Sequence, residues 1–72
     1  MNEKDLKNGQ DFHFENEELD CGSITWNDRF KNFAIEFNGK CIHTSKTFKT
    51  AEKRLEKLMS EFNCEFTEES EW

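Results

Sequence analysis

The sequence predicts an α+β domain: a three-stranded antiparallel β-meander, open to a fourth N-terminal strand, packed on one C-terminal α-helix. Three observations predict it. Asn38-Gly39 stands between alternating apolar residues, the strongest short hairpin signal, because a type I′ turn needs positive φ at both positions. Ile24 and Trp26 recur at period two just before that hairpin. Phe48, Ala51, Leu55, Leu58, Met59 and Phe62 recur at helical spacing just after it.

Taken in order, DFHFE (residues 11–15) places Phe12 and Phe14 at period two and offers the fourth strand. SITW opens a strand over residues 23–27, followed by strands over 31–37 and 40–46. A two-residue turn at Asn38-Gly39 pairs Phe37 with Lys40, Ile35 with Ile42 and Phe33 with Thr44. Directly opposed residues share a face, so Phe33, Ile35, Phe37 and Ile42 point one way. Ala34, Glu36, Cys41 and His43 point the other. A turn through residues 27–30 sets Trp26 against Lys31 and Ile24 against Phe33, which adds both to the apolar face. In the helix, Thr47 or Thr50 caps the N-terminus, Glu52 suits the first turn and Asn63 suits the stop. Its apolar stripe packs on the apolar face of the meander. NCEFTEESEW begins with a short extended piece through Phe66. Residues 1–10 and 67–72 read as flexible ends of a single small domain, 1–72.

With 72 residues and 33% apolar content, the core is small, and eight Phe and two Trp must carry much of it. No run nears the roughly 18 apolar residues of a membrane span. MNEKDLKNG carries no apolar signal region, so the expected location is the cytoplasm of a host cell. Cys21, Cys41 and Cys64, odd in number and far apart, read as reduced thiols there. The net charge of −6 is zoned: residues 1–22 hold seven acids and two lysines, residues 23–60 four acids and eight bases, and residues 61–72 five acids and no base. Such zoning builds a local potential that the net value conceals. The acidic ends either solubilise the domain as a solvated surface, or fold back over its basic middle, or are the working surface.

Metal and catalytic chemistry find little support. Structural zinc sites show a close ligand pair such as C-x2-C, since one short turn presents both. The nearest pair here is Cys41 and His43, on one strand face. As a nucleophile and base they lack oxyanion donors and a third orienting group. There is no Gly-rich phosphate loop and no G-x-S-x-G turn. No metal, no cofactor and no enzyme activity are expected.

The stretch FAIEFNGKCIHTSKTFKTAEKRLEKLM, residues 33–59, resembles the C-terminal part of a double-stranded-RNA-binding domain, a hairpin followed by a lysine-rich helix start. The resemblance implies phosphate contacts at Lys46, Lys49 and Lys53, with Arg54 on the same basic helix start. Residues 1–22 hold no counterpart of that family's long first helix, and Phe48, Thr50 and Glu52 interrupt the basic cluster. A pI near 4.8 also opposes the basic footprint of a phosphate binder.

The acidic segments give the alternative. In extended chain, alternate side chains lie roughly 6.6 Å apart on one face. Phosphates of one DNA strand lie about 3.4 Å apart along the helix axis and further along the winding backbone. Glu15 with Glu17, Glu18 with Asp20, and Glu69 with Glu71 approximate that row. With Glu65 and Glu68 they would be drawn to a basic nucleic-acid channel. Phe12, Phe14 and Trp72, with Leu19 and Phe66, stand beside the acids as anchors, since interface hot spots favour aromatics.

In size, acidity, lack of proline and architecture, the whole chain resembles small phage-encoded inhibitors of host nucleic-acid enzymes, such as anti-CRISPR proteins and uracil-DNA glycosylase inhibitors. The resemblance implies a protein-binding inhibitor of a host effector, such as a CRISPR–Cas nuclease. It would act by nucleic-acid mimicry or by steric occlusion through the Ala34/Glu36/Cys41/His43 face. The remaining readings are a small double-stranded-RNA or DNA-binding module and an assembly subunit, a monomer or a dimer through an exposed strand edge.

Overall fold

The computed structural model describes residues 1–67, which form, in chain order, α1 (Glu3–Lys7), β1 (Phe12–Glu15), β2 (Cys21–Asn27), β3 (Asn32–Phe37), β4 (Lys40–Ser45), α2 (Phe48–Phe62) and β5 (Glu65–Phe66). The fold is α+β. One antiparallel sheet runs β4-β3-β2-β1-β5, and β1 to β4 form a meander. Among these residues no helix is long and apolar enough to cross a membrane.

Asn38 and Gly39 take φ of 51° and 84°, and Phe37 pairs with Lys40, so the hairpin turn is the expected one. Beyond it the expected register fails. A β-bulge leaves Ile42 unpaired in the ladder, because Glu36 opposes Cys41 and Ile35 opposes His43. Phe33 then meets Ser45 rather than Thr44. The extra residue moves His43 and Ser45 to the helix side and turns Ile42 out, 38% exposed. Beyond the bulge, where the chain enters α2, the Ser45 hydroxyl donates to Thr47 O at 2.9 Å and accepts from Thr47 N at 3.2 Å. His43 Nε2 is left buried without a hydrogen-bond partner.

The β2–β3 register also differs, by two residues. Trp26 meets Phe33 and Ile24 meets Ile35, because the four-residue loop lies over residues 28–31, one position later than expected, with Lys31 at φ 54°. A two-residue slip preserves side-chain parity, so Ile24 and Trp26 still lie on the expected face. The N-terminal strand forms as β1, and the extended piece through Phe66 as β5. Together they make β1 an interior strand, between β2 and β5.

Both helices contribute to one core of Leu6, Phe14, Ile24, Phe33, Ile35, Ala51, Leu55, Leu58 and Cys64. In α2 the cap is Thr47, whose hydroxyl accepts from Thr50 N, and Asn63 ends the helix at φ 54°. With the cap at Thr47, Glu52 falls past the first turn. The stripe buries Ala51, Leu55 and Leu58, half-buries Phe48 and Met59, and leaves Phe62 42% exposed. α1 was not among the expected elements. Asn2 caps it through a 2.8 Å bond from Asp5 N, and it buries Leu6 completely. Its Lys7 Nζ lies 4.9 Å from the centre of the Trp26 ring.

One glycine is required by close approach. Across the inner face, Phe14, Gly22 and Phe37 stand in one cross-strand row. The Phe14 and Phe37 rings stack over the glycine at 6.1 Å, 14° from parallel. A Cβ at Gly22 would lie 2.5 Å from Phe14 Cζ and would also strike the backbone oxygen of Glu36.

The bulge has a measurable consequence. Ile42→Ser should change unfolding free energy by no more than about 0.5 kcal/mol, whereas Ile35→Ala should cost about 2–5 kcal/mol. Urea denaturation of both variants measures this, and equal losses would indicate the unbulged register instead.

Candidate functional site

The stretch that follows β1, Asn16 to Asp20, is organised by one side chain. Asn16 Oδ1 accepts from Glu18 N at 2.9 Å and from Asp20 N at 3.0 Å. Asn16 Nδ2 donates to Asp20 Oδ2 at 3.1 Å and to Phe62 O, at the end of α2, at 2.8 Å. The backbone closes the same loop, with Asn16 N donating to Asp20 O at 3.1 Å. Asn38 joins from the hairpin turn: its Nδ2 donates to Asp20 Oδ1 at 3.0 Å and its Oδ1 accepts from Cys21 N at 3.1 Å. The loop, the end of the helix and the β3–β4 turn are therefore clasped together.

This clasp divides the four carboxylates of residues 15–20 into two kinds. Asp20 is structural, with both of its oxygens hydrogen-bonded. The Asn16 amide, then the Asn38 amide, hold its pKa below the ordinary aspartate value against a smaller desolvation effect. Glu15, Glu17 and Glu18 are exposed, without an ion-pair partner among the described residues. At the loop tip Leu19 is 89% exposed at φ 70°, a left-handed conformation that an apolar side chain rarely adopts.

The two acidic zones meet here. Glu15 stands directly opposite Glu65 in the β1–β5 pair, a like-charge arrangement that disfavours the sheet. Glu15, Glu17, Glu18 and Glu65 line one groove of about 670 Å³ with Phe62 and Phe66. Phe66 is 44% exposed and meets Phe12 edge-on at 6.4 Å. The last turn of α2 holds no basic residue, so its negative dipole end faces the same acids.

The expected site residues thus fall into four groups. Glu15, Glu17, Glu18 and Glu65 converge, while Asp20 holds the loop. Phe12 is half-buried against the core, and Phe14 is fully buried, which removes it as an anchor. The physical reason is the interior position of β1: its inward residues lie in the core. Phe62 takes the place of Phe14 beside the acids: its ring packs on Phe37 at 4.9 Å yet stays 42% exposed. Glu68, Glu69, Glu71 and Trp72 lie outside the described residues. The expected row of alternating carboxylates also changes form: β1 stops at Glu15 and the chain turns, so Glu15, Glu17 and Glu18 form a cluster rather than a line.

Lys46, Lys49, Lys53 and Arg54 are exposed at the other end of α2, a helix of 15 residues and so about 22 Å long. The ion pairs among the described residues are the local Lys7–Glu3 and Lys31–Asp28, so the acids in the groove are not folded over the basic middle. Cys41 and His43 do not share a face, because the bulge rotates His43 to the helix side. No group of three or more His, Cys, Asp or Glu among the described residues is placed to hold a metal ion. No family model, curated protein or solved structure matches this chain.

The Asp20 clasp is stabilising above the unfolded aspartate pKa, roughly 3.9, and is lost as pH falls through the lower folded value. The thermal midpoint of Asp20→Ala should therefore lie below wild type at neutral pH and approach it in acid. A gap independent of pH would remove Asp20 from the clasp. Burial, with smaller contributions from Asp20 and Cys21, pushes the Cys64 thiol up. A thiol reagent at neutral pH should modify the exposed Cys21 and Cys41 quickly and Cys64 only on unfolding, as mass spectrometry of the products would show.

Proposed function

We propose that the chain is a non-enzymatic, protein-binding inhibitor that docks its acidic groove and loop tip on the basic, nucleic-acid-binding surface of a host effector. The observation that carries this reading is the convergence of the two acidic zones on one rigid surface beside exposed apolar groups. Four carboxylates, without an ion-pair partner among the described residues, line one groove with two half-exposed phenylalanines, and Leu19 is exposed in the adjoining loop. Like charges held this close weaken the fold, and a cationic surface relieves that cost. An exposed leucine at positive φ adds strain without adding core, which supports a role for it outside the domain. Charges around an apolar centre also suit fast, steered, salt-sensitive association.

The compact cluster favours occlusion of a basic site over mimicry of a regular phosphate row. A duplex-binding role for Lys46, Lys49, Lys53 and Arg54 is the competing reading, supported by their exposure at one end of α2.

The test replaces Glu15, Glu17, Glu18 and Glu65 by Gln together and keeps Asp20, which maintains the loop. Wild type should capture a nucleic-acid-binding protein from host lysate and displace its nucleic acid stoichiometrically. The variant should do neither, with its thermal midpoint unchanged or raised. Equal capture by both forms would overturn the acidic surface as the binding site. A low-salt gel shift of duplex RNA, abolished by Lys49→Glu, would favour the competing reading.

A further inference from the structure

Asparagine followed by glycine occurs twice in the chain, at Asn8-Gly9 and Asn38-Gly39, and the fold surrounds the two pairs differently. We propose that Asn8 is a site of spontaneous deamidation in the folded protein, and that the Asp20 clasp shields Asn38 from the same reaction. In this chemistry the glycine backbone nitrogen gives up its proton and bonds to the side-chain carbonyl carbon of the asparagine. The bond from that carbon to Nδ2 breaks, and ammonia leaves with the proton. Water then opens the five-membered succinimide at either carbonyl, which leaves aspartate or isoaspartate and one added negative charge.

Glycine leaves that nitrogen unhindered and the chain free to bend toward it, whereas Asn2, Asn16, Asn27, Asn32 and Asn63 precede larger side chains. A Cβ at Gly9 or at Gly39 would meet nothing within 4 Å, so both nitrogens stand in open surroundings. The difference lies in the asparagines. Asn38 is held at both ends of its carboxamide: Oδ1 accepts from Cys21 N at 3.1 Å and Nδ2 donates to the Asp20 carboxylate at 3.0 Å. Its own N–H donates to Cys21 O at 2.8 Å. Side chain and backbone are thus tied to the start of β2, while the reaction requires the carboxamide to turn onto Gly39. Both side-chain bonds must break first, one of them to a charged acceptor. Asn8 is exposed just past α1, and its carboxamide has no hydrogen-bond partner among the described residues. The Gly9 N–H donates to Leu6 O at 3.0 Å, at the end of a five-residue helix. A helix that short does not hold itself, and its end opens without unfolding of the sheet.

The products differ in consequence. At Asn38 the aspartate product would set a second carboxylate against Asp20 where an amide donor now stands. The isoaspartate product would add a backbone carbon to a two-residue turn of fixed geometry. Either removes one arm of the clasp, so the hydrogen bonds that build the clasp also block the reaction that would break it. At Asn8 the change falls outside the sheet and adds charge to the acidic N-terminal zone.

The experiment incubates the whole protein at mildly alkaline pH, folded and in urea. Peptide mapping by mass spectrometry follows conversion at each site, and enzymatic methylation reports isoaspartate. In urea the two sites should convert at similar rates. In the folded protein Asn38 should convert at least about tenfold more slowly than Asn8. Asp20→Ala should raise the folded-state rate at Asn38 several-fold and leave Asn8 unchanged, with Cys64 still closed to thiol reagents as the check that the fold persists. If that variant does not fold, wild type carried through its urea transition supplies the same comparison: Asn38 conversion should rise with the unfolded fraction, while Asn8 conversion should not follow it. Equal conversion of the two sites in the folded protein, or none at Asn8, would overturn the assignment. An Asn38 rate unmoved by Asp20→Ala in a folded variant, or by unfolding of wild type, would overturn the shielding.

Discussion

The missing Cβ at Gly22 is the constraint on which the sheet and the candidate surface both depend. Because Gly22 is bare, the rings of Phe14 and Phe37 meet across β2, and the backbone of Glu36 comes close. Phe37 in turn packs on Phe62 at 4.9 Å, which seats the last turn of α2 over this row. Next to it, Phe66 of β5 pairs with Phe14 of β1. The position of the helix end, and of the short strand after it, follows from one gap in one strand. In a chain with only 33% apolar residues, aromatic rings that span several strands give the most burial per residue, and they need such a gap.

A second, polar device works on that frame. Asn16 uses both ends of its amide, closing its own loop with Oδ1 and reaching Asp20 and Phe62 O with Nδ2. Asp20 passes the connection to Asn38. Three segments distant in sequence are joined by short side chains, at the place where the aromatic row brings them together. Glu17, Glu18 and Leu19 gain nothing from the core, but the clasp fixes their positions. That combination of rigid support and exposed, electrostatically unfavourable groups supports reading this end as an interaction surface. Charge is also separated along α2, with exposed bases near the helix start and, at its end, acids without an ion-pair partner among the described residues. Such a separation gives the molecule a local field that its net charge conceals.

Several features were legible in the sequence because they depend on local rules. Asn38-Gly39 reported its hairpin through the φ values its turn requires, and Asn63 marked the end of α2 by tolerating the left-handed region. Period two in DFHFE and helical period after Thr47 identified β1 and α2. The acidic zones were visible as composition, and Glu15, Glu17, Glu18 and Glu65 were found within them. What escaped depended on contacts between distant segments. The α1 helix is only five residues long, too short to show an amphipathic pattern, and it is held by the burial of Leu6. The β4 bulge could not be read from alternation, because Ile42 fits the inward pattern, and only the β3–β4 pairing shows it left out of the ladder.

The sequence by itself determined the α+β class, the meander, the long helix and the separation of charge, since periodicity, turn chemistry and side-chain charge are properties of neighbouring residues. Only the tertiary structure decided which of the marked residues are left exposed. Phe14 was removed from the surface because β5 adds to β1 and makes it an interior strand. Asp20 was withdrawn into the clasp because Asn16 and Asn38 arrive from either side. Phe62, an unremarkable end to a helical stripe, was placed beside the acids because its ring packs on Phe37 and its carbonyl accepts from Asn16 of the acidic loop. Burial and hydrogen-bond partnership depend on which segments meet, and in this chain the segments that meet at the groove are about fifty residues apart, as the 46-residue separation of Asn16 and Phe62 illustrates.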